Sequence, residues 1–307
     1  MTRESVLKLI TSTEQHLSGK LKLNESMARY TSWRVGGKAD QLYIPTGLED
    51  LQAFIKNASA NEPFYFVGLG SNLLVRDGGL RGTVIIMHNV LTELKLDGDL
   101  VYAESGLTCG KLAKFCAKEA KQGAEFFAGI PGTLGGALAM NAGCYGAETW
   151  NVVNSVTTIN LQGELKKRDA KEFIASYRHV DMPVVGEWFI AAWLKLKAGD
   201  AQESAQLIKD LLATRLASQP LNFPSAGSTF RNPPGDYAAR LIEASGLKGY
   251  TIGGAQVSEK HANFIVNISE ANALDIELLI NHMRETVLEK FGVALQQEVK
   301  VIGEYTL

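Results

Sequence analysis

The sequence predicts an α+β fold with a larger amino-terminal part and a smaller carboxy-terminal domain. Short apolar runs of strand length alternate with segments in which apolar residues recur every three or four positions. The composition changes after about residue 200, where charge and helix propensity rise. A content of 46% hydrophobic and 21% charged residues is typical of a globular protein that buries a full core.

Helices are predicted where the apolar period is helical, and strands where short apolar runs end in glycine or polar residues. The predicted helices cover 1–25, 48–58, 108–123, 199–217, 237–244 and 276–291. The predicted strands cover 64–67, 83–87, 100–104, 152–161, 187–197, 264–268 and 293–302. The charged helix 199–217 suits a domain junction, so we expect domains at 1–200 and 201–307.

Charge balance and cysteine usage exclude several classes of protein. Lys and Arg number 31 against 33 Asp and Glu, a formal net charge of −2, so the chain lacks the basic excess that nucleic-acid binding requires. The apolar runs of the chain are far shorter than the ~20 residues of a membrane span, and residues 1–10 lack the apolar core of a signal peptide, so we expect neither. Three cysteines and five dispersed histidines predict neither a disulfide scaffold nor a metal site. We expect a reduced, cytoplasmic protein with no evident obligate protein partner.

Glycine is unevenly distributed and marks the first candidate site. Residues 129–146 contain six of the 30 glycines, with Thr133 and Asn141 but no charged residue. Glycine lets backbone amides approach a phosphate closely, because no Cβ intervenes and a positive φ is allowed. The alternative is a tight turn region in a packed β domain, but six glycines favour a diphosphate site.

A second glycine loop, 68–72, directly follows the predicted strand 64–67. Leu73 stands where a dinucleotide fingerprint requires its third glycine, and no βαβ unit surrounds the loop. A further glycine segment at 106–111 is one residue too short for a P-loop. Rossmann and Walker sites are therefore excluded, whereas the two loops together suit the pyrophosphate of a dinucleotide.

Three further candidates can each be interpreted as ordinary surface residues. The run 225–234 is a rigid polar loop that either presents Ser228 and binds an anion or is a surface turn. Glu298 projects away from the core face of an apolar strand, where a solvated residue is the usual case. Arg178 is isolated in the sequence. Because the side chains offer little covalent or metal chemistry, an enzyme with this sequence needs a cofactor for the hard step.

Seven segments, taken together and in order, resemble the UDP-N-acetylenolpyruvoylglucosamine reductase family. They are TSWRVGGKAD (31–40), VGLGSNLLV (67–75), AGIPGTLGGALAMNAGCYG (128–146), SYR (176–178), QPLNFPSAGSTFRNP (219–233), LIEASGLKGYTIGGAQVSEKHANFIVN (241–267) and LQQEVKVIG (295–303). The compact glycine window is similar to the family's second subtype, which lacks an extra substrate-covering loop. The resemblance implies a two-part FAD-binding domain of the vanillyl-alcohol-oxidase (PCMH) type at 1–200 and a smaller C-terminal α/β substrate domain at 201–307.

The resemblance also implies an activity. Family members reduce the enolpyruvyl group of UDP-N-acetylglucosamine-enolpyruvate to UDP-N-acetylmuramate in peptidoglycan precursor synthesis. Tightly bound, non-covalent FAD, NADPH as the hydride source and ping-pong use of one cleft are implied with it. The implied FAD contacts lie in the two glycine loops, at Gly68, Gly70, Ser71, Asn72, Leu73, Ile130, Pro131, Gly132, Thr133, Gly135, Gly136, Asn141, Ala142 and Gly143.

By position, three residues match the family's catalytic groups. Ser228 matches the proton donor, Glu298 the carboxylate near the reacting carbon, and Arg178 the partner of the substrate carboxylate. Arg231 and Asn232 match residues that hold the nucleotide sugar. A cation at Arg178 suits the negative charge that develops on the α-carbon and its carboxylate during reduction.

The sequence departs from the family pattern at several positions. His179-Val180-Asp181-Met182 replaces the usual serine and phenylalanine after Tyr-Arg, Gln297 replaces a usual proline, and Cys144 replaces a common alanine. None of these changes removes a catalytic group. The first of them puts the packing around Arg178 in question.

Two other functions are compatible with the sequence. One is a flavin oxidoreductase of the same fold that acts on another small acid. The other is a nucleotide-sugar-binding module that has lost its flavin. Ser228 and Glu298 favour the reductase, and the colour of the purified protein distinguishes the reductase from the module.

Overall fold

The computed structural model describes residues 17–59 and 61–306, which form two compact units. Each unit is assembled from separate stretches of the chain. The first comprises the residues up to Leu23, Gln41–Gly68 and Gly82–Ile208, and the second comprises Asn24–Asp40, Leu69–Arg81 and the residues from Lys209 onwards.

The described residues contain six α-helices and twenty mostly short β-strands. The helices are α1 (Leu48–Asn57), α2 (Cys109–Lys118), α3 (Leu134–Ala139), α4 (Ala201–Ser218), α5 (Ala238–Ala244) and α6 (Ala273–Phe291). The strands are β1 (Lys20–Ser26), β2 (Lys38–Ile44), β3 (Phe64–Val67), β4 (Leu73–Val75), β5 (Leu80–Ile86), β6 (Leu94–Asp97), β7 (Leu100–Glu104), β8 (Lys121–Gln122), β9 (Gly143–Cys144), β10 (Ala147–Glu148), β11 (Val153–Asn160), β12 (Leu165–Asp169), β13 (Ile174–Ser176), β14 (His179–Asp181), β15 (Glu187–Lys195), β16 (Lys197–Ala198), β17 (Thr251–Ile252), β18 (Ala255–Val257), β19 (Ile265–Asn267) and β20 (Lys300–Ile302).

An antiparallel five-stranded sheet, in the order β12-β11-β15-β7-β6, is the main sheet of the first unit. Val156 of β11 pairs with Ala192 of β15, and Ala192 pairs in turn with Ala103 of β7. All three side chains are buried in one core with the apolar faces of α2 and α3. A second sheet has the order β1-β2-β5-β3, in which β3 runs parallel to β5. The core packing therefore fixes α3, which lies in the glycine window, against the main sheet.

A three-stranded antiparallel sheet, β17-β18-β19, shares a core with α5 and α6 in the second unit. Helix α6 begins at a capping box, because the side chains of Asn272 and Asp275 each accept the other's backbone N–H. It ends at Gly292, whose φ of 67° suits a glycine. Its buried face contains the residues that the helical period predicts: Ile276, Leu279, Ile280, Met283 and Val287.

Long-range contacts make the second unit discontinuous. Strand β4 pairs in parallel with β20, with Leu73 opposite Lys300. Trp33, which is fully buried, donates from Nε1 to the carbonyl of Ile265 at 2.8 Å. These contacts bring 24–40 and 69–81 into this unit, whereas the sequence predicts one boundary between residues 200 and 201. The functional roles assigned to the two predicted domains stay a prediction.

Two predicted elements differ from the structure. Most of the predicted helix 1–25 lies outside the described residues, but Lys20–Ser26 is strand β1 in a sheet with β2. The predicted strand 293–302 is regular only at β20. Leu295 and Val299 are buried as the alternation predicts, but Gln297 pairs through an isolated bridge to Phe230. The other predicted helices and strands are present, 64–67 and 100–104 with the predicted ends and the rest with shifted ends.

Candidate active site

Hydrogen bonds to the connection between β7 and α2 fix the glycine window. The window runs from a 3-10 turn at Glu125–Gly129 through α3 to the β9–β10 hairpin. Leu134 N donates to Leu107 O at 2.9 Å, and Gly135 N donates to Ser105 O at 2.8 Å. The loop is therefore anchored to a buried segment rather than held only at its ends.

The glycines of the two loops serve different purposes. A Cβ on Gly135 would lie 2.9 Å from the Cβ of Ser105, and a Cβ on Gly68 would overlap Thr133 Oγ1. These two glycines allow close packing within the first unit. Gly136 is exposed, and the nearest atom to its Cβ position is Thr133 Oγ1 at 3.9 Å. Packing within the protein thus explains Gly135 and Gly68 but does not explain Gly136.

Asn141 joins the glycine window to the β13–β14 hairpin. Its Nδ2 donates to Glu148 Oε2 at 2.9 Å and to the carbonyl of Ser176 at 3.0 Å. Its Oδ1 accepts the backbone N–H of Trp150 at 3.1 Å. Since both polar atoms of this buried side chain bond to protein groups, Asn141 acts on the site by holding neighbouring segments in place.

Arg178 occupies the turn of that hairpin. Ser176 and His179 pair across the turn, and Arg178 has a φ of 58°. Its Nη2 donates to the carbonyl of Gly143 at 2.7 Å, and its guanidinium carbon lies 5.1 Å from the centre of the Tyr177 ring. The structure therefore brings Arg178 and the predicted cofactor residue Gly143 together within the first unit.

The departure at 179–182 leaves this arrangement of Arg178 intact. His179 and Asp181 are exposed and hydrogen-bond each other at 2.8 Å. Val180 points into the core of the first unit and is 9% exposed. The substituted residues thus bond to one another or pack against the core. The hydrogen bond from Arg178 to the carbonyl of Gly143 involves none of them.

Residues 69–72 of the second glycine loop lie with Glu298 in the second unit. Gly70 has a φ of 60°, and a Cβ there would overlap the carbonyl of Tyr30. The backbone N–H of Ser32 donates to Gly70 O at 3.2 Å. Asn72 Nδ2 donates to the carbonyl of Glu298 at 3.2 Å. Close backbone packing explains Gly70, and Asn72 links the predicted cofactor loop to the predicted catalytic carboxylate.

Backbone pairing brings the Ser228 segment beside the Glu298 segment. Glu298 N donates to Thr229 O at 2.8 Å, and the next residue, Phe230, bridges to Gln297. Ser228 and Glu298 are both partly exposed. Two of the three predicted catalytic residues therefore stand on paired segments of one unit.

The predicted substrate residues follow on the same segment. Arg231 N donates to Gln296 O at 2.8 Å, which continues the pairing. Asn232 is exposed, and its Oδ1 accepts the backbone N–H of Ala238 at 3.1 Å at the start of α5. Asn232 therefore has a structural role that the sequence alone does not reveal.

Two of the three cysteines of the first unit, Cys109 and Cys116, are buried. Burial raises the pKa of the Cys109 thiol, and it raises the pKa of Cys116 to about 12. Cys144 donates to the carbonyl of Phe126 at 3.1 Å. Since the thiolate is the reactive form, the two buried thiols are unreactive at neutral pH.

Comparisons with known proteins identify the family. A model of the UDP-N-acetylenolpyruvoylglucosamine reductase C-terminal domain matches residues 219–302, and an FAD binding domain model matches 39–168. UDP-N-acetylenolpyruvoylglucosamine reductase of Alkalilimnicola ehrlichii is 55% identical over 93% of this chain and 96% of its own length. The chain belongs to the UDP-N-acetylenolpyruvoylglucosamine reductase family. The reductase of Thiobacillus denitrificans is 50% identical over 98% of both chains.

A solved structure supports the fold of this family. The crystal structure of the Thermus caldophilus reductase matches with a TM-score of 0.79 and 31% identity, over 92% of this chain and 98% of that one. The predicted combination of a PCMH-type FAD-binding domain with a C-terminal reductase domain is confirmed. Like its family, the chain is a flavin-dependent oxidoreductase, and FAD is its cofactor.

The residues of the glycine window fit FAD in this reductase family member. From Ile130 to Gly146 no side chain is charged, so none repels a pyrophosphate. Pro131, Gly136 and Ala139 are exposed, and the open Cβ position of Gly136 leaves room for a ligand close to the backbone. The window thus combines a rigid base with an exposed, uncharged outer surface.

Sequence reasoning missed several residues at the site. Ser105 Oγ beside the glycine window and Thr229 Oγ1 beside Ser228 are buried without a hydrogen-bond partner among the described residues. Asn263 bonds three times to the segment that follows Ser228. No motif marks these residues, because each depends on a contact with a distant part of the chain.

Metal-ligand clusters and membrane-spanning helices are absent from residues 17–59 and 61–306. Within those residues no group of three or more His, Cys, Asp or Glu side chains is placed to hold a metal ion. No helix there is both long enough and apolar enough to cross a membrane.

Proposed function

We propose that this protein reduces the enolpyruvyl group of UDP-N-acetylglucosamine-enolpyruvate to UDP-N-acetylmuramate, with NADPH as the hydride source. The step belongs to peptidoglycan precursor synthesis and takes place in the cytoplasm. The observation that carries the proposal is the backbone pairing of the Ser228 and Glu298 segments. This pairing links the segments of Ser228 and Glu298, the two residues to which the resemblance assigns roles at the reacting carbons. Both segments lie within the residues that the reductase C-terminal domain model matches.

The reaction adds a hydride to the β-carbon and a proton to the α-carbon, so that the carbon–carbon double bond becomes single while NADPH becomes NADP⁺. Bound FAD supplies the two-electron hydride chemistry. Ser228 provides the proton, and Glu298 lies near the reacting carbon. Arg178 binds the substrate carboxylate and stabilises the charge that develops there. Removing one such electrostatic group typically costs about 10²–10³ in rate.

A serine hydroxyl is a weak acid in water, so Ser228 needs a dry site. Its neighbour Thr229 is fully buried, whereas Ser228 itself is partly exposed. Bound substrate completes the exclusion of water around the hydroxyl. Ser228 therefore acts as a donor only when the nucleotide sugar is in place.

Backbone atoms bind the cofactor, whereas side chains bind the substrate. The backbone of 68–73 and 130–143 holds FAD tightly and without a covalent bond. Arg231 and Asn232 hold the nucleotide sugar. Because Asn232 Oδ1 already accepts the N–H of Ala238, its Nδ2 is the atom that donates to the substrate.

An anaerobic visible spectrum of the purified protein tests the proposal. NADPH is added first, then UDP-N-acetylglucosamine-enolpyruvate. We expect a flavin band that bleaches with NADPH and returns with the enolpyruvyl substrate. UDP-N-acetylglucosamine, which lacks the enolpyruvyl group, is the matched control and should leave the band bleached.

Each other outcome contradicts a specific part of the proposal. If the flavin band bleaches with NADPH but does not return with the enolpyruvyl nucleotide sugar, the proposed substrate is wrong. A band that NADPH does not bleach, although chemical reduction does, overturns the hydride source. Return of the band with the control sugar would remove the specificity for the enolpyruvyl group.

A further inference from the structure

The segment that holds Ser228 lies beside β19 and the turn that precedes β19. Ser225 bridges to Val266, and Thr229 N donates to Asn263 O at 2.8 Å. Residues 225–229 thus lie opposite the shorter stretch 263–266, so the Ser228 side carries one extra residue. Gly227, immediately before Ser228, has a φ of 74°.

Asn263, in the turn before β19, bonds the residues that follow Ser228. Its Oδ1 accepts the N–H of Phe230 at 3.0 Å, and its Nδ2 donates to the carbonyl of the same residue at 2.8 Å. The backbone carbonyl of Asn263 also accepts the N–H of Thr229, so Asn263 bonds both residues that follow Ser228. Asn263 is 3% exposed and Phe230 is 1% exposed, so water does not compete for these bonds.

Thr229 also bonds the backbone of Glu298, the predicted catalytic carboxylate. Thr229 O accepts the N–H of Glu298 at 2.8 Å, while Thr229 N is held by Asn263. One residue, Thr229, therefore connects Asn263 with Glu298, and Ser228 precedes it directly. A displacement at Asn263 would change the position of Ser228 relative to Glu298.

We propose that Asn263 is the positioning residue for the Ser228 hydroxyl, an inference that rests on the proposed function of Ser228. A proton donor must lie within hydrogen-bond reach of its acceptor, and a misplacement of about 1 Å can cost about 10²-fold in rate. Ser228 lies outside the regular strands, and Asn263 fixes the residues after it. Asn263 does not itself touch the reacting atoms.

Asn263→Ala in the full-length, FAD-loaded protein tests this role in separate half-reactions. We expect reoxidation of the flavin by saturating enolpyruvyl nucleotide sugar to slow about 10- to 100-fold. Reduction by NADPH and the substrate dissociation constant should change little. A variant with an unchanged reoxidation rate would overturn the proposal.

Asn267→Ala is the matched control. Asn267 ends β19 and also bonds two backbone groups through its carboxamide, to Trp33 O at 3.1 Å and from Ala271 N at 3.1 Å. These bonds do not involve the residues after Ser228. We expect this variant to reoxidise at nearly the wild-type rate, and an equal slowing in both variants would indicate a general loss of structure.

A double variant separates positioning from structural support. If Asn263 acts through Ser228, Asn263→Ala should add no further loss of reoxidation in a Ser228→Ala background. Losses that multiply would show that Asn263 affects the rate by another route, and the proposal would fail.

Asn263→Asp serves if the alanine variant does not fold, because it keeps the acceptor for Phe230 N and loses the donor to Phe230 O. Hydrogen exchange at Phe230 provides a readout independent of substrate. We expect faster exchange in Asn263→Ala, which removes the acceptor of the Phe230 N–H, than in wild type or Asn267→Ala, and unchanged exchange would contradict the proposed role of Asn263. If the nucleotide sugar does not reoxidise the wild-type protein, the proposed function fails. The exchange result still shows whether Asn263 holds the residues after Ser228.

Discussion

At the residue scale, three non-glycine residues in or near the glycine window have positive φ angles. Asn141, Tyr145 and Arg178 have φ angles of 45°, 55° and 58°, in the left-handed region that non-glycine residues seldom adopt. Each costs on the order of 1 kcal/mol and persists where surrounding contacts over-determine it. Asn141 has three side-chain hydrogen bonds, and Arg178 bonds to Gly143. Such strain is typical of functional sites and agrees with the proposed role of Arg178.

Ser228→Ala is a prediction at this scale. Loss of the hydroxyl removes the proposed proton source, so reoxidation by the enolpyruvyl nucleotide sugar should slow about 10²-fold or more. Reduction by NADPH should keep nearly its wild-type rate, because no proton from Ser228 enters that step. Stopped-flow absorbance of the bound flavin measures both steps. Ser225→Ala, in the same loop, is the control, and a parallel fall of both half-reactions in Ser228→Ala would show that Ser228 is not the proton donor.

At the scale of elements, burial decides which strands the sequence reveals. Strand β3 and helix α6 have apolar residues at the period of their structure, and the sequence predicts both. The β13–β14 hairpin that carries Arg178 has no such pattern, since Ile174 is 69% exposed and its neighbours in β13 are exposed as well. A hairpin with only one buried residue in its strands, Val180, leaves no period in the sequence.

The two adjacent glycines of α3 give a prediction at this scale. Gly135→Ala should lower the free energy of unfolding of the apoprotein by about 1–3 kcal/mol, because its Cβ would press on Ser105. Gly136→Ala should leave that free energy unchanged or raise it by up to about 1 kcal/mol, since alanine favours a helix. If FAD lies against this surface, Gly136→Ala should nevertheless weaken FAD binding. Urea unfolding and FAD titration measure the two effects, and unchanged FAD affinity in Gly136→Ala would exclude contact at this residue.

At the scale of the whole molecule, each unit contains a well-buried carboxylate paired with an arginine. Arg168 bonds Glu187 at 2.6 and 2.7 Å in the first unit, and Arg76 bonds Glu277 at 2.7 and 2.9 Å in the second. Hydrogen bonds from the arginines hold the pKa of both carboxyls below the ordinary value. Because the folded pKa is the lower one, these pairs stabilise the protein above the ordinary carboxyl pKa of about 4.3, and their contribution is lost as pH falls below it.

Glu187→Gln tests this contribution. The variant should lose about 1–3 kcal/mol of stability at pH 7, because Arg168 loses a charged partner. It should also lose stability less steeply than wild type as the pH falls through the acid range. Unfolding midpoints in urea at several pH values measure both effects. Glu93→Gln, in an exposed pair with Lys95, is the control and should change little; an unaltered pH slope in Glu187→Gln would contradict the assignment.

The sequence by itself determined the α+β class, the longer helices and buried strands, and the family, because periods and motifs are written within a few neighbouring residues. It also placed Ser228, Glu298 and Arg178 as candidates by resemblance. Only the tertiary structure decided that β4 joins β20, which glycines of the loops are packed against protein, and that Asn263 clamps the residues after Ser228. These features depend on hydrogen bonds and close approaches between residues far apart in the chain, and no local pattern encodes which distant partner a buried amide or glycine will meet.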